Sequence, residues 1–335
     1  MRTGAGWIWA GERGSLRAMR FAVWCYRLFG RRLIAFFILP LVSYFFLTDR
    51  KGRHASYRYL KRLYALPEGR QALGHPPRTW DCFLHYREFG LNILDRLVLW
   101  SGEGDQFEII VHGREHFARL IEEKRGAILL GAHVGSFDAL RVLAQKAGMP
   151  VKVVMFTQQA QKINRIFNEL SPEMEMRVIN LDPGSIQSVF DIKACVERGE
   201  FVALLGDRVG IGEHKRISWV PFLGAMAPFP RGPFLLASAL QCAVVLMIGL
   251  RVNNTTYEAF AEPLADRVVL PRTTRDKTLD ELVGNYAKRL EGYCFKAPYQ
   301  WFNFYDFWGD DAGADSGRAS FDSLAWSSAA GERDG

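Results

Sequence analysis

Apolar residues fall into two patterns along this chain. From residue 127 onward, short apolar runs alternate with stretches in which apolar positions recur every three or four residues. The runs predict buried strands over 127–132, 151–156, 176–181, 201–206 and 243–250. The periodic stretches predict helices over 137–147, 159–170, 185–198 and 232–241. Phe107 to Val111 reads as a further strand, Thr255 to Ala261 as an edge strand, and Leu279 to Phe295 as an amphipathic helix. Strands alternating with helices imply an α/β fold with a mostly parallel central sheet flanked by helices.

Before residue 100 the pattern is helical, over 54–64 and again over 81–100. Residues 33–47 form an uncharged run between Arg31-Arg32 and Asp49-Arg50-Lys51, interrupted by Pro40. The run is shorter than the roughly 20 residues that span a bilayer. An interfacial or membrane-embedded hairpin, a single short span and a buried core helix all fit it. No secretory signal is evident. Residues 309–335 are rich in Gly, Ala, Ser and Asp and read as a disordered tail. Three parts follow: a basic, aromatic, membrane-associated segment at 1–65, an α/β domain at 66–308, and the tail.

Charge sharpens this division. Residues 1–62 hold thirteen Lys or Arg and two Asp or Glu, a local charge of +11 against −4 for the rest of the chain. That distribution argues against a nucleic-acid-binding core and for an N-terminal patch that meets an anionic surface. The five cysteines are scattered without C-x-x-C spacing, which suits reduced thiols in a cytosol-facing protein.

The candidate chemistry begins where the 127–132 strand breaks. His133 follows it, Gly135-Ser136 permits a turn, and Asp138 opens the next helix. Open α/β sheets place their sites at the carboxyl ends of strands. Imidazole is a general base near neutral pH, and a carboxylate on one ring nitrogen fixes its tautomer. Backbone N–H groups around Gly135, Ser136 and Phe137 are the natural donors for an oxyanion. Asp207-Arg208 closes the 201–206 strand on the same sheet edge, either as a surface ion pair or as a substrate contact. Residues 215–232 read as a long apolar loop rich in Pro and Gly, containing Pro221, Phe222 and Arg231. Such a loop suits the wall of an acyl or membrane-facing slot, or packs under a helix. The aromatic run Pro298 to Trp308 reads as core. His112-Gly-Arg-Glu115-His116 has the spacing of some zinc peptidases, but Gly113 keeps the two histidines off one helix face. No G-x-S-x-G elbow, dinucleotide loop or phosphate loop is present, which favours direct base catalysis over a covalent intermediate.

Taken together, Val111-x-Gly113-x-Glu115, His133-x-x-x-x-Asp138, Asp207-Arg208, Pro221-Phe222-Leu223-Gly224 and Pro298-Tyr299-Gln300-Trp301-Phe302 resemble the lysophospholipid acyltransferase superfamily. Within it, the chain is similar to the bacterial lipid A late acyltransferases over about residues 10–308. Its start, Trp9 and Glu12-Arg13-Gly14-Ser15, looks like a group that accompanies aryl-polyene pathways. The resemblance implies transfer of a fatty acyl chain from a thioester to a hydroxyl of a lipid or glycolipid. The donor would be acyl carrier protein or acyl-CoA, and the place the cytoplasmic face of the inner membrane. It implies no metal and no organic cofactor. It makes His133 the base and Asp138 its partner, with Asp207 and Arg208 near a head group. Gly135, Ser136, Phe137, Pro221, Phe222 and Arg231 would line the substrate site. Where lipid A enzymes often carry a Tyr-Arg pair, this chain has Phe156-Thr157-Gln158. The guanidinium that would meet a phosphorylated sugar is missing there. A hydrolase acting on thioesters or lipid esters, and a non-catalytic acyl-binding membrane protein, are the alternatives from other classes.

Overall fold

The computed structural model describes residues 16–100, 104–156, 178–181, 186–209 and 216–309. Among the described residues four helices lead: α1 (Leu16–Thr48), α2 (Arg50–Ala65), α3 (Pro67–Leu73) and α4 (Thr79–Trp100). Local chemistry sets their joints. The Asp49 carboxylate accepts the Gly52 N–H and caps α2, Pro67 occupies the first turn of α3, and Gly74 ends α3 in the left-handed conformation. Then come β1 (Glu108–His112), α5 (Arg114–Glu122), β2 (Ala127–Gly131), α6 (Phe137–Lys146), β3 (Val151–Phe156) and β4 (Val178–Leu181). The chain continues through α7 (Ile186–Glu197), β5 (Phe201–Leu205), β6 (Ile217–Phe222), β7 (Ala225–Pro230), α8 (Gly232–Leu240), β8 (Ala243–Arg251), β9 (Thr256–Ala265) and α9 (Arg275–Lys296).

Seven strands form one sheet in the order β1-β9-β8-β2-β5-β3-β4. The block from β8 to β4 is parallel, while β9 runs antiparallel to β8 and parallel to β1. The fold is the α/β class that the pattern implies. The 255–261 strand is not at the edge, because β1 pairs outside it. Every residue of β2 is buried. Ile128 and Leu130 join one core cluster, and Ala127 and Leu129 join another. A strand covered on both faces reads as a continuous apolar run. The helix expected at 159–170 and the tail at 310–335 lie outside the described residues.

The 215–232 stretch corrects the expectation of an irregular loop. It is the hairpin β6–β7, closed by Leu223 and Gly224, both at positive φ (49° and 76°). That pair suits a two-residue turn whose twist matches the strands. Burial alternates along β6, with Ser218, Val220 and Phe222 inside. Pro221, Pro228 and Pro230 hid the period, and a two-stranded ribbon tolerates them because its strands are all edges. His112 ends β1 and stacks on Phe260, while His116 lies in α5, so the two belong to different elements.

Helix α1 departs from helical dihedrals at Gly30 (φ 69°, ψ 169°). Its later arm packs on α4, with Val42 and Phe46 buried. Gly90 on α4 makes room, since a Cβ there would lie 2.6 Å from a Val42 methyl. Phe46 meets Phe83 and Tyr86 edge-on at 5.5 Å. The opposite stripe, Leu33, Phe36, Phe37, Leu41, Tyr44 and Leu47, is 49–70% exposed. Among the described residues no helix is long and apolar enough to cross a membrane.

His85 on α4 joins the helical layer to the chain's end. Its Nδ1 pairs with Ser56 Oγ at 2.9 Å and its Nε2 with the Trp301 carbonyl at 2.8 Å. A carbonyl only accepts, so Nε2 carries the proton and Nδ1 accepts from the hydroxyl. Burial pulls the ring's pKa down to about 4, against the opposing pull of the Trp301 bond. The folded-state value lies below the unfolded one, so the stabilisation is complete above pH 6.5 and is lost as pH falls towards 4. Denaturant unfolding of wild type should lose about 3 kcal/mol more over that window than His85→Gln, which cannot titrate. Equal pH dependence in the two proteins would contradict the buried neutral ring.

Candidate active site

The site grows from the register of two parallel strands. Gly131 at the end of β2 pairs with Leu205 at the end of β5, and the Gly206 N–H donates to the Gly131 carbonyl at 3.0 Å. Two residues beyond this pair on each chain segment, His133 and Asp207 therefore meet. His133 Nδ1 lies 2.7 Å from Asp207 Oδ1, and the His133 backbone N–H donates to Oδ2 at 2.9 Å. Trp301 Nε1 donates to the same Oδ2 at 3.1 Å. Three N–H groups thus satisfy a carboxylate that is 1% exposed. A buried charge is tolerable only when bonded in this way.

Electrostatics match the geometry. Burial alone would raise the Asp207 carboxyl. The charge and hydrogen bonds of His133, with the Arg208 guanidinium, override it and hold the group down at about 2. The His133 pKa is lowered, first by burial and then by the Arg208 charge, with Asp207 pulling the other way. An ionised Asp207 on Nδ1 keeps the ring proton there and leaves the Nε2 lone pair outward. The His133 side chain is 28% exposed, and among the described residues nothing bonds Nε2. The arrangement can accept a proton at Nε2 and stabilise the resulting imidazolium through Asp207.

A second strand-like segment clamps the histidine loop. Val134 bridges Trp301 antiparallel, the Phe302 N–H donates to the His133 carbonyl at 2.8 Å, and the Gly135 N–H donates to the Gln300 carbonyl at 2.8 Å. Asn92 of α4 donates to the Gly135 carbonyl at 2.7 Å. The Ser136 N–H donates to the Gly249 carbonyl at 2.7 Å, and Ser136 Oγ caps α6 by accepting the Ala139 N–H.

Residues 91–309 match the model of a family described as bacterial lipid A biosynthesis acyltransferase. The chain belongs to that family. No curated protein matches it. The matched stretch of this acyltransferase contains Asn92, His133, Asp207, Arg208 and Trp301, and so covers the whole cluster.

Two expectations need correction against this geometry. The carboxylate on the His133 ring is Asp207, not Asp138. Asp138 sits in the first turn of α6, and its Oδ2 accepts Arg96 Nε at 2.7 Å. The strand register delivers Asp207 to the ring, whereas α6 carries Asp138 towards α4. The Gly135 and Ser136 N–H groups are also unavailable to an oxyanion, because Gln300 and Gly249 take them. Phe137, at the first position of α6, keeps its place at the helix start.

The other candidate residues separate into layers. Arg208 lies in the site, with Nη2 donating to the Phe302 carbonyl at 2.8 Å and its guanidinium over the Tyr305 ring. Among the described residues its buried Nε has no hydrogen-bond partner. Phe222 is core, touching Trp301 at 5.2 Å between ring centroids, and so supports the clamp from behind. Pro221 lines a separate cavity of about 310 Å³ with Leu66, Gly224, Lys288 and Glu291. Arg231 ties the hairpin base to α9 through Asp276, Asp280 and Ser218. Trp301, Asn92 and Gly249 were missed as site residues. The first of them stood only in the aromatic run at 298–308 and in the Pro298–Phe302 block of the resemblance, without a role in the site.

Gly135 has φ +61°, and a Cβ there would lie 2.0 Å from the Gly249 carbonyl oxygen. Gly135→Ala must displace the histidine loop from β8. A lowered melting temperature with activity near background is the expected result, and wild-type values for both would refute the close crossing.

Proposed function

We propose that the chain transfers a fatty acyl group from an acyl thioester, carried on acyl carrier protein, to a hydroxyl of a lipid acceptor at the cytoplasmic face of the inner membrane. The observation that carries this reading is His133, with Nδ1 held by Asp207 and Nε2 open, within a chain of the acyltransferase family. Nε2 takes the proton of the acceptor hydroxyl as its oxygen attacks the thioester carbon. The tetrahedral oxyanion collapses, the C–S bond breaks, and the imidazolium returns its proton to the leaving thiolate. No covalent enzyme intermediate is needed, because the thioester is already activated. The Arg208 charge, which already lowers the His133 pKa, supplies a positive field for the oxyanion.

The N-terminal helices support the membrane part of this reading. The exposed stripe of α1 is apolar and aromatic, and the exposed Trp80 lies stacked on Phe83 beside Phe46. Helix α2 carries Arg50, Lys51, Arg53, Arg58, Lys61 and Arg62 with no acidic residue. An apolar stripe beside a cationic helix suits an anionic bilayer surface, with the stripe in the headgroup and acyl boundary. A lipid acceptor would then reach the site without leaving the membrane.

General base catalysis is worth roughly 10²–10⁴-fold. Purified His133→Ala and Asp207→Asn should each fall by about two orders of magnitude or more in transfer from acyl carrier protein to membrane lipid, assayed below their lowered melting temperatures where both remain folded. Product mass spectrometry reads the outcome. Wild-type rates in either variant would remove the base assignment, and free fatty acid without acylated lipid would replace transfer by hydrolysis. The acid limb of kcat/KM should lie below pH 6.5, since the His133 pKa is lowered. A limb above that value would contradict the reading. Replacing both Phe36 and Phe37 by Glu should abolish sedimentation with anionic vesicles while leaving the fold unchanged. Undiminished sedimentation would remove α1 as the membrane contact.

A further inference from the structure

The Gly135 and Ser136 N–H groups are bonded to Gln300 and Gly249, which leaves an oxyanion beside His133 short of directed donors. The segment that clamps the histidine carries a free one. Trp301 bonds Asp207, and the Phe302 N–H bonds the His133 carbonyl. The Asn303 N–H then donates back to the Trp301 carbonyl at 2.8 Å, so the chain turns beside the His133–Asp207 pair. Two residues on, the Tyr305 ring lies under the Arg208 guanidinium, 5.8 Å from its centre. The same guanidinium donates to the Phe302 carbonyl at 2.8 Å, and Arg208 adjoins Asp207 in the chain. Tyr305 is thus seated against the residues that hold His133.

Its hydroxyl sets it apart. The buried Tyr59, Tyr86, Tyr257, Tyr286 and Tyr293 each spend the hydroxyl on an acceptor within the protein. An interior phenol ordinarily does so. Tyr305 is half-buried, its ring meets Arg208 and Phe307, and among the described residues its hydroxyl has no hydrogen-bond partner. Burial raises its pKa, with the Arg208 charge opposing and the Asp207 charge adding, so the phenol stays protonated and able to donate.

We propose that the Tyr305 hydroxyl is the hydrogen-bond donor that meets the thioester oxygen as it becomes an oxyanion beside His133. The proposal rests on the acyltransferase reading for the reaction, but not for the ability of the hydroxyl to hold a tetrahedral oxyanion. As the acceptor oxygen bonds to the thioester carbon, the carbonyl π electrons move onto the carbonyl oxygen, which accepts from Tyr305. When the C–S bond breaks, the carbonyl re-forms and the electron pair leaves with sulfur. The phenol keeps its proton throughout, while His133 carries the proton of the acceptor.

Tyr305→Phe in the full-length protein removes the hydroxyl and keeps the ring under Arg208. In transfer assays kcat should fall about 10²-fold, the loss that ordinarily follows removal of one oxyanion donor, with the KM of each substrate within a few-fold of wild type. An unchanged kcat, or a rise in KM alone, overturns the assignment, the second because it makes the hydroxyl a contact of the ground state. Binding tests the donor without turnover. Dodecylphosphonate carries tetrahedral anionic oxygens on an alkyl chain, and calorimetry should show it binding Tyr305→Phe at least tenfold more weakly than wild type. Equal affinities, or no binding by wild type, overturn the proposal. With 3-fluorotyrosine placed at position 305 the hydroxyl is retained, so this arm does not depend on the stability of the phenylalanine variant. Its fluorine signal should move saturably with the phosphonate, and a signal that stays fixed overturns the proposal. Should wild type bind the phosphonate through Tyr305 yet transfer no acyl group, the proposed function fails while the oxyanion donor stands.

Discussion

The Asp207 carboxylate is the constraint on which the site depends. It is buried and charged, and it is stable there only because three N–H groups converge on it, two from His133 and one from Trp301. Removing one partner of a buried charged pair typically costs about 3–5 kcal/mol, because the remaining charge is stranded. The His133 ring is therefore fastened by the same contacts that make the carboxylate tolerable. Each contact has a separate structural source: the β2–β5 register, the turn at Gly135, and the strand-like segment at Gln300–Phe302. The geometry of the His133–Asp207 pair and the fold of the sheet's centre are in this sense one arrangement.

That arrangement reaches outward through neutral groups. The carbonyl of Trp301 accepts from His85, and His85 pairs with Ser56 on α2. Tyr59 of α2 donates to the Pro298 carbonyl at 2.9 Å and packs its ring on Trp301. The inner face of the basic helix thus holds the clamp behind Asp207, while the helix carries six Lys or Arg residues and no Asp or Glu. In the proposed membrane reading, whatever seats α1 and α2 would also fix the orientation of His133 relative to the bilayer. Arg62 over Trp308 and Arg58 beside Asp306 extend the same junction.

Much of the fold was legible because buried parallel strands leave an unmistakable trace. The apolar runs at 127–132, 201–206 and 243–250 became β2, β5 and β8, and His133 and Asp207 were both recognisable as residues at strand ends. Their pairing was not legible, because it depends on which strands are neighbours, and β2 and β5 are separated by two other strands in the chain. Proximity in sequence favoured Asp138 instead. The hairpin β6–β7 was hidden by prolines that interrupt a period-two pattern without breaking a two-stranded ribbon. Trp301 was read as core, and it is core, but an indole N–H in the interior must find an acceptor, and here the acceptor is the Asp207 carboxylate.

The division of labour between the two aspartates is the centre of the account, and the ring proton on His133 Nδ1 reports it directly. A proton in a short bond to a buried carboxylate exchanges slowly and resonates well downfield of the amide envelope. Proton NMR of the purified protein should show one such signal, absent in His133→Asn, lost in Asp207→Asn and retained in Asp138→Asn. A signal that survives Asp207→Asn and disappears in Asp138→Asn would contradict the pairing on which the mechanism is built.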